Sequence, residues 1–253
     1  MPCAGSLPIM ISENPNLVHE LPKDCIDVYY AHWHNAQLPP AEELSLLSEE
    51  ERQHFEKLRR IEDKLSYAKA HILIRKSLQK YLSFPAAEIE FTKSSFGKPG
   101  VSVPNGLPKI EFNITHCEML VACAVALSPV GIDAESRLRV LEPETIDFIL
   151  HPREKSEMKS VDQKEWSETA LRIWTCKEAA LKALGVGLQI EPRQVLVDFA
   201  DPHSPLADVF DQEHQLVHRL NLYPNLVAHT GHVLSVACPN PECNRIRLIE
   251  CQD

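Results

Sequence analysis

Hydrophobic and polar positions change their spacing several times along the chain, and each spacing predicts a different element. Residues 25–34, CIDVYYAHWH, alternate and are rich in β-forming side chains, which predicts a strand. Residues 38–84 have helical spacing instead. Within them Ser48 and Glu51 match a capping box, and a second helix is indicated by the apolar side chains of Leu65, Ala68, Ile72, Ile74 and Leu78.

Short strand patterns and chain breaks follow these helices. EIEFTKS and KIEFNITH flank a Gly/Pro break at FGKPG, and MLVACAVALS is so apolar that we expect a strand at a sheet centre. PVGIDAES indicates another short strand, and residues 163–184 have the composition of a long helix. Four strand-like runs close the chain: QVLVDFA, QLVHRLNLY, GHVLSVAC and RIRLIE.

The order of elements is similar in the two halves of the 253-residue chain, although no sequence repeat of fixed period is present. Each half contains one long helix and several strands. This order predicts an α+β fold of two related subdomains, residues 1–127 and residues 128–253. The cleft between two such subdomains is the natural place for a ligand.

Composition and charge narrow the function. The chain carries 26 Lys and Arg against 36 Asp and Glu, a net charge of -10, which argues against a general nucleic-acid binder. The N-terminal segment lacks the pattern of a secretory signal, and no apolar run is long enough to span a bilayer. We therefore expect a cytoplasmic protein that does not bind membranes.

Eight cysteines raise the question of a metal or disulfide framework. No C-x-x-C pair is present, and CPNPEC at residues 238–243 lacks a second pair at zinc spacing. Reduced and mostly buried thiols are the better interpretation.

GIDAES places two carboxylates on one face of a strand. Side chains alternate across a strand, so Asp133 and Glu135 point the same way, with Cα atoms about 6.6 Å apart, while Ile132 and Ala134 pack on the other face. The two carboxylates repel each other unless a cation or water separates them, and hard oxygen ligands suit Mg²⁺. For so short a motif taken alone, a solvated acidic face of an edge strand is the better explanation.

The predicted helix at residues 163–184 carries Trp174, Glu178 and Lys182 at intervals of four residues, so all three share one face. Gly185 fits the position that ends a helix. An ordinary Glu–Lys helix pair, worth about 0.2–0.5 kcal/mol, explains the two charges. It does not explain Trp174 on the same stripe or the second glycine of GVGL.

Two further stretches carry polar candidates. Lys98 lies between a glycine and a proline, which predicts a stiff, exposed loop. Asn113, Thr115 and His116 end a strand and begin a turn, and by themselves they are ordinary turn residues.

In combination and in this order, FGKPG, FNITHC, GIDAES and WTCKEAALKALGVGL resemble the 4′-phosphopantetheinyl transferases, specifically the larger Sfp-type branch. The family pattern has a G-K-P loop, an F-N-[IV]-[ST]-H strand end, a G-[IV]-D-x-E strand and a W-[ST]-x-K-E-[AS]-x-x-K-x-x-G-x-G-L helix. The resemblance covers residues 96–188. Two departures are small: Thr115 stands where serine is commoner, and Ala134 is smaller than the usual residue between the acids.

The resemblance implies a pseudo-dimer of two similar α+β subdomains, each a long helix packed on a small, mostly antiparallel sheet. Coenzyme A would lie in the cleft between them. Such enzymes transfer the phosphopantetheine arm of coenzyme A to a serine of an apo acyl or peptidyl carrier protein and release 3′,5′-ADP.

The resemblance also implies roles for particular residues. Asp133, Glu135 and Glu178 would bind Mg²⁺, or Mn²⁺, against the pyrophosphate. Glu178 would act as the base on the carrier serine, and Lys182 would stabilise or protonate the departing phosphate. The predicted coenzyme A-binding residues are Lys98, Thr115, His116, Lys57, Lys64, Asp133 and Lys182, although solvated helix charges explain Lys57 and Lys64 equally well.

Two other functions are alternatives to phosphopantetheine transfer. A non-catalytic coenzyme A or carrier-protein binding module is the main alternative, and the three acidic residues argue against it. A different Mg²⁺-dependent phosphotransferase is less consistent, because no G-x-x-x-x-G-K-[ST] loop is present. The sequence does not name the carrier protein, and two fused subdomains suggest a monomer.

Overall fold

The computed structural model describes residues 21–33, 37–82, 84–103, 109–201 and 203–251. The strands are β1 (Cys25–His32), β2 (Phe91–Lys93), β3 (Pro99–Val101), β4 (Glu111–Cys117), β5 (Leu120–Ala126), β6 (Gly131–Ser136), β7 (Val195–Asp198), β8 (Leu206–Phe210), β9 (Leu216–Tyr223), β10 (His232–Cys238) and β11 (Arg245–Glu250). The α-helices are α1 (Ala41–Leu44), α2 (Glu49–Lys57), α3 (Ile61–Gln79), α4 (Pro143–Ile149), α5 (Pro152–Met158) and α6 (Trp166–Leu184).

Two sheets repeat one topology. The first has the strand order β11-β1-β5-β4, and the second has the order β6-β10-β9-β8-β7. In the first sheet β1 pairs antiparallel with β5, and in the second sheet β6 pairs antiparallel with β10. Among the described strands, β11 alone is parallel to its neighbour, β1. The long helix α3 contacts the first sheet, and α6 contacts the second. The predicted α+β pseudo-dimer is confirmed.

The end of the chain crosses back to the first sheet, because β11 follows β10 but pairs with β1. The division into subdomains at residues 127 and 128 stays a prediction. The crossover ties the two sheets together at the side opposite the edge strand β4.

Four layers stack in the order helix, sheet, sheet, helix. Alternate side chains of β5 pack on opposite faces of the first sheet, one face toward the second sheet and the other toward α3. Leu120, Ala122 and Ala124 face a cluster shared by both sheets. Val121 and Cys123 face a second cluster formed with α3. All seven residues of β5 are buried, which confirms the predicted central strand.

The ends of the helices follow local rules that the sequence shows. The Ser48 side chain accepts from the Glu51 amide, and the Glu51 carboxylate accepts from the Ser48 amide, so the predicted capping box is present. Gly185 ends α6 with a φ of 67°, in the left-handed region. The apolar positions predicted for α3 are buried: Leu65, Ala68, Ile72, Ile74 and Leu78.

Most thiols are in the core, as expected. Among the described residues the free, buried cysteines are Cys25, Cys123, Cys176, Cys238 and Cys243. No helix within the described ranges combines the length and apolar character needed to cross a membrane.

Helix α6 passes so close to the start of β6 that only glycine fits there. A Cβ atom on Gly131 would overlap the backbone of Ala179 and Ala183. The glycine therefore lets α6 lie directly on the strand that carries Asp133.

We predict that Gly131→Ala destabilises the fold by about 3 kcal/mol or more, because α6 must move away from β6. Urea unfolding at equilibrium measures this change. Gly97→Ala is the control, since nothing lies within 4 Å of a Cβ there and its φ of 83° adds only backbone strain of about 1–2 kcal/mol. Equal tolerance of the two substitutions would contradict the close contact.

Candidate active site

The site lies where the edge strands β4 and β6 of the two sheets face each other. The Asn113 carboxamide oxygen accepts from the Ile132 amide at 2.9 Å, and the Thr115 hydroxyl oxygen accepts from the Ala134 amide at 3.2 Å. Edge strands otherwise leave such outward amides unpaired. These two bonds, here called the seam, replace a backbone ladder. The interpretation of Asn113 as a turn residue was wrong, because it is buried within β4.

A cavity of about 620 Å³ opens beside the seam and is lined by residues of β4 and β6. Its lining combines the end of β4, the end of β6 and one residue of α6. The polar side chains that matter here are Thr115, His116, Asp133, Glu135, Arg139 and Lys182.

A second cavity of about 320 Å³ lies on the other side of Lys182, which lines both cavities. Lys98 and Glu178 line it together with apolar side chains such as Phe96 and Ile190. Lys182 of α6 therefore lies between a more polar cavity and a more apolar one.

Asp133 is the most deeply buried of the three acids. Its Oδ1 accepts from the Lys182 ammonium at 2.6 Å and from the Thr115 hydroxyl at 3.4 Å, whereas its buried Oδ2 has no partner. Burial raises the pKa of Asp133 to about 6, and Lys182 only partly opposes this. A solvated acidic face does not describe this carboxyl, which is 6% exposed.

Glu135 has two donors on one oxygen. The Trp174 indole donates to its Oε1 at 3.3 Å, and the Arg139 guanidinium donates to the same atom. Burial raises the pKa of Glu135, while Arg139 lowers it. Trp174 also packs against the core cluster around α6. An ordinary Glu–Lys helix pair did not explain this tryptophan, and the structure shows that its indole orients Glu135.

Glu178 lies half-buried on α6, and burial raises its pKa. Lys182 lowers that pKa and Glu135 raises it, while Glu178 in turn raises the pKa of Asp133. The three acids therefore interact electrostatically. Within the described ranges, however, no three His, Cys, Asp or Glu side chains stand close enough to hold a metal ion as they are placed.

The residues nevertheless fit a divalent cation. The buried, unpartnered Oδ2 of Asp133 is a hard oxygen, and burial raises the pKa values of all three acids, so a bound cation would stabilise their charged forms. The assignment of Asp133, Glu135 and Glu178 to Mg²⁺ stays a prediction that these features support.

The loop at Lys98 is exposed at residues 94–97, as expected, but Lys98 itself is half-buried. Its ammonium donates to the carbonyls of Ala183 at 2.9 Å and Val130 at 3.1 Å, and burial lowers its pKa. The Lys98 stem covers Gly185, where a Cβ would lie 3.1 Å from the lysine Cδ. Glycine at position 185 thus allows the left-handed turn that ends α6 and leaves room for the Lys98 side chain.

The other predicted ligands are dispersed. His116 lies at the rim of the larger cavity, where partial burial and then the Lys182 charge lower its pKa. Lys57 is exposed at the end of α2, and the Lys64 ammonium lies 4.9 Å from the centre of the Phe55 ring. Neither of these two described lysines is among the residues lining either cavity.

Lys177, next to Glu178, is not a surface charge. It is fully buried, and its ammonium lies 2.6 Å from Glu154 and donates to the carbonyls of Ile149 and Pro192. This pair anchors α6 to the start of α5. The apolar neighbours Ile173 and Ala180, at i−4 and i+3, were a sequence signal for its burial.

Comparison with known proteins agrees with this geometry. A family model described as the 4′-phosphopantetheinyl transferase superfamily matches residues 129–237, and one described as 4′-phosphopantetheinyl transferase, N-terminal, matches residues 31–128. Together the two models span residues 31–237, which include all the residues that line the two cavities. The chain belongs to the 4′-phosphopantetheinyl transferase superfamily, and its relatives support the Sfp-type branch.

Similar proteins include 4′-phosphopantetheinyl transferase gsp of Aneurinibacillus migulanus, 32% identical over 61% of this chain and 62% of that protein. The corresponding transferase Sfp of Bacillus subtilis is 27% identical over 64% of this chain and 75% of its own length. The L-aminoadipate-semialdehyde dehydrogenase-phosphopantetheinyl transferase of Mus musculus is 25% identical over 72% of this chain and 63% of its own. The match to gsp thus spans less than two thirds of that relative.

The pKa of Asp133 predicts how stability depends on pH without divalent ions. Because burial raises this pKa from 3.8 to about 6, ionisation opposes folding, and the wild type loses about 2 kcal/mol between pH 4 and pH 6. Asp133→Asn has no carboxyl to ionise and does not lose this free energy, so its stability relative to wild type should increase from pH 4 to pH 7.

Urea unfolding at the two pH values measures that difference. Asp147→Asn is the control for removal of one charge, since the Asp147 side chain is 78% exposed. A stability difference for Asp133→Asn that does not change with pH would show that the carboxyl is not buried as described.

Proposed function

We propose that this protein transfers the 4′-phosphopantetheine group of coenzyme A to a serine of an apo acyl or peptidyl carrier protein, with Mg²⁺, and releases 3′,5′-ADP. One observation supports it above the others. Asp133, with an unpartnered buried oxygen, shares a cavity with Glu135, and Lys182 connects that cavity to the one that Glu178 lines.

The larger cavity suits the pyrophosphate of coenzyme A. Lys182 supplies a cation within it, His116 and Thr115 supply hydrogen-bonding groups, and the cavity is open to solvent at its rim. Phosphoryl transfer depends mainly on positioning and on charge stabilisation, so this mixture of groups fits the reaction. Lys98 would contact coenzyme A from the smaller cavity.

Asp133, Glu135 and Glu178 would hold the metal ion. When bound, Mg²⁺ neutralises charge on the diphosphate oxygens and orients them. Trp174 would keep Glu135 oriented through its indole N–H, which donates to Glu135 Oε1 at 3.3 Å.

Glu178 is the proposed base. Its raised pKa makes the carboxylate a stronger proton acceptor than an exposed glutamate, and it would take the serine proton directly or through a water molecule. The serine oxygen then bonds to the phosphorus that bears the pantetheine arm. The bond from that phosphorus to the bridging oxygen breaks, and 3′,5′-ADP leaves with the electron pair.

Lys182 is the proposed partner of the leaving group. It lies one helical turn after Glu178 and lines both cavities, so its ammonium can stabilise the departing phosphate or give it a proton. Its bond to Asp133 holds it in that position.

Mass spectrometry of apo carrier proteins tests the function. The protein, coenzyme A and MgCl₂ are incubated with fatty-acid, polyketide and peptide-synthetase carriers, and with a carrier whose acceptor serine is replaced by alanine. We expect a gain of one phosphopantetheine group on at least one intact carrier, and no gain with EDTA. Binding of coenzyme A without transfer to any carrier would favour a non-catalytic module.

We predict that Glu178→Gln abolishes transfer and leaves the fold intact, because the variant loses both a base and a proposed metal ligand. Initial rates and the melting temperature are measured together. Glu168→Gln on the same helix is the control, since the Glu168 side chain is 55% exposed and pairs with Arg137. Near-normal turnover of Glu178→Gln would remove Glu178 from the mechanism.

We predict that Lys98→Ala weakens coenzyme A binding by about tenfold or more, the effect of losing a charged hydrogen bond, and slows saturated turnover less. Calorimetry and steady-state kinetics measure the two effects. Lys93→Ala, on the exposed strand β2 of the same hairpin, is the control. Unchanged affinity for coenzyme A with a lower melting temperature would show that Lys98 has only a structural role, through its bonds to the carbonyls of Val130 and Ala183.

A further inference from the structure

The Arg139 guanidinium donates to a carboxylate of the proposed metal site. Arg139 lies in the irregular segment after β6, its side chain is 45% exposed, and its neighbours Leu138 and Val140 are also strongly exposed. The guanidinium reaches back four residues to Glu135 Oε1 and lines the larger cavity. A partly exposed cation therefore contacts an acid that lines the proposed site.

The second donor to the same oxygen is of a different kind. Trp174 approaches Glu135 Oε1 from α6, and its ring packs against the core cluster of the second sheet. Loss of Arg139 would therefore leave Glu135 still oriented by the indole. The tryptophan can remain while the arginine moves.

Asp133 shows that the cavity can take a further cation. Its Oδ1 is bonded to Lys182, but its Oδ2 is buried and without a partner, in a residue only 6% exposed. A divalent ion that bound this oxygen and Glu135 would have to replace the charge that Arg139 now supplies. Two positive groups cannot approach one carboxylate oxygen without repulsion.

We propose that Arg139 is an internal competitor of the metal ion: it neutralises Glu135 in the metal-free protein and leaves that carboxylate when a divalent ion binds. The affinity of the site for Mg²⁺ or Mn²⁺ is therefore set partly by Arg139. This inference rests on the proposed metal site, but it concerns a residue outside the motifs that define the family resemblance.

The effect of removing Arg139 has a definite sign. Substitution removes both the competing bond and the nearby positive charge, so the metal-free protein binds the ion more tightly. A partly exposed ion pair limits the gain to about two- to fivefold. A purely structural ion pair would leave affinity unchanged or weaken it.

Calorimetric titration of the metal-free protein with MnCl₂, without coenzyme A or carrier, measures this affinity. The variants are Arg139→Gln and Arg139→Lys. Arg219→Gln is a matched control, because Arg219 is 57% exposed and pairs with Asp208 at 15% exposure, while Arg139 and Glu135 are 45% and 15% exposed. The titration is performed at pH 8, so that carboxyl protonation does not contribute.

We expect Arg139→Gln to bind Mn²⁺ about two- to fivefold more tightly than wild type, Arg139→Lys to lie between them, and Arg219→Gln to equal wild type. In a Glu135→Gln background, Arg139→Gln should have no further effect. Unchanged or weaker binding by Arg139→Gln overturns the inference and leaves the proposed transfer standing. No ion binding by any variant overturns the metal site and the inference together.

Discussion

Two side-chain bonds across the seam hold the candidate site together. Asn113 and Thr115, two residues apart on β4, accept hydrogen bonds from alternate amides of β6, at Ile132 and Ala134. Because both strands are sheet edges, this pairing satisfies amides that would otherwise face a gap in the core. It also fixes the register that brings His116 and Thr115 to the cavity that Asp133 and Glu135 line.

The candidate site contains three buried or half-buried acids whose negative charges the surrounding residues stabilise only in part. The three acids have raised pKa values, and Lys182 and Arg139 supply positive charge from two different elements. Contacts outside the site must therefore hold helix α6 in place. The buried Lys177–Glu154 pair and the glycine at position 131 provide that anchor, since they fix the helix along its far side and against β6. A removed partner in such a buried pair costs about 3–5 kcal/mol.

Local pattern predicted the elements and much of the site, but not the contacts made between elements. A continuous apolar run predicted β5 as a central strand, and alternation placed Asp133 with Glu135, because a strand has a fixed period. The spacing on α6 placed Trp174, Glu178 and Lys182 on one face for the same reason. Asn113, Arg139 and Lys177 were missed as functional or structural contacts, because their partners are set by how sheets and loops approach. The half-burial of Lys98 within an exposed loop was not predicted, because its local sequence does not show the two carbonyls to which it donates.

Hydrogen exchange at the seam tests the central claim most directly. In wild-type protein the amide hydrogens of Ile132 and Ala134 should exchange slowly, since each is bonded to a β4 side chain. In Asn113→Ala the Ile132 amide should exchange at least about tenfold faster, while amides in the α3 core keep their protection. Unchanged protection of Ile132 in that variant would show that the two sheets are joined in some other way.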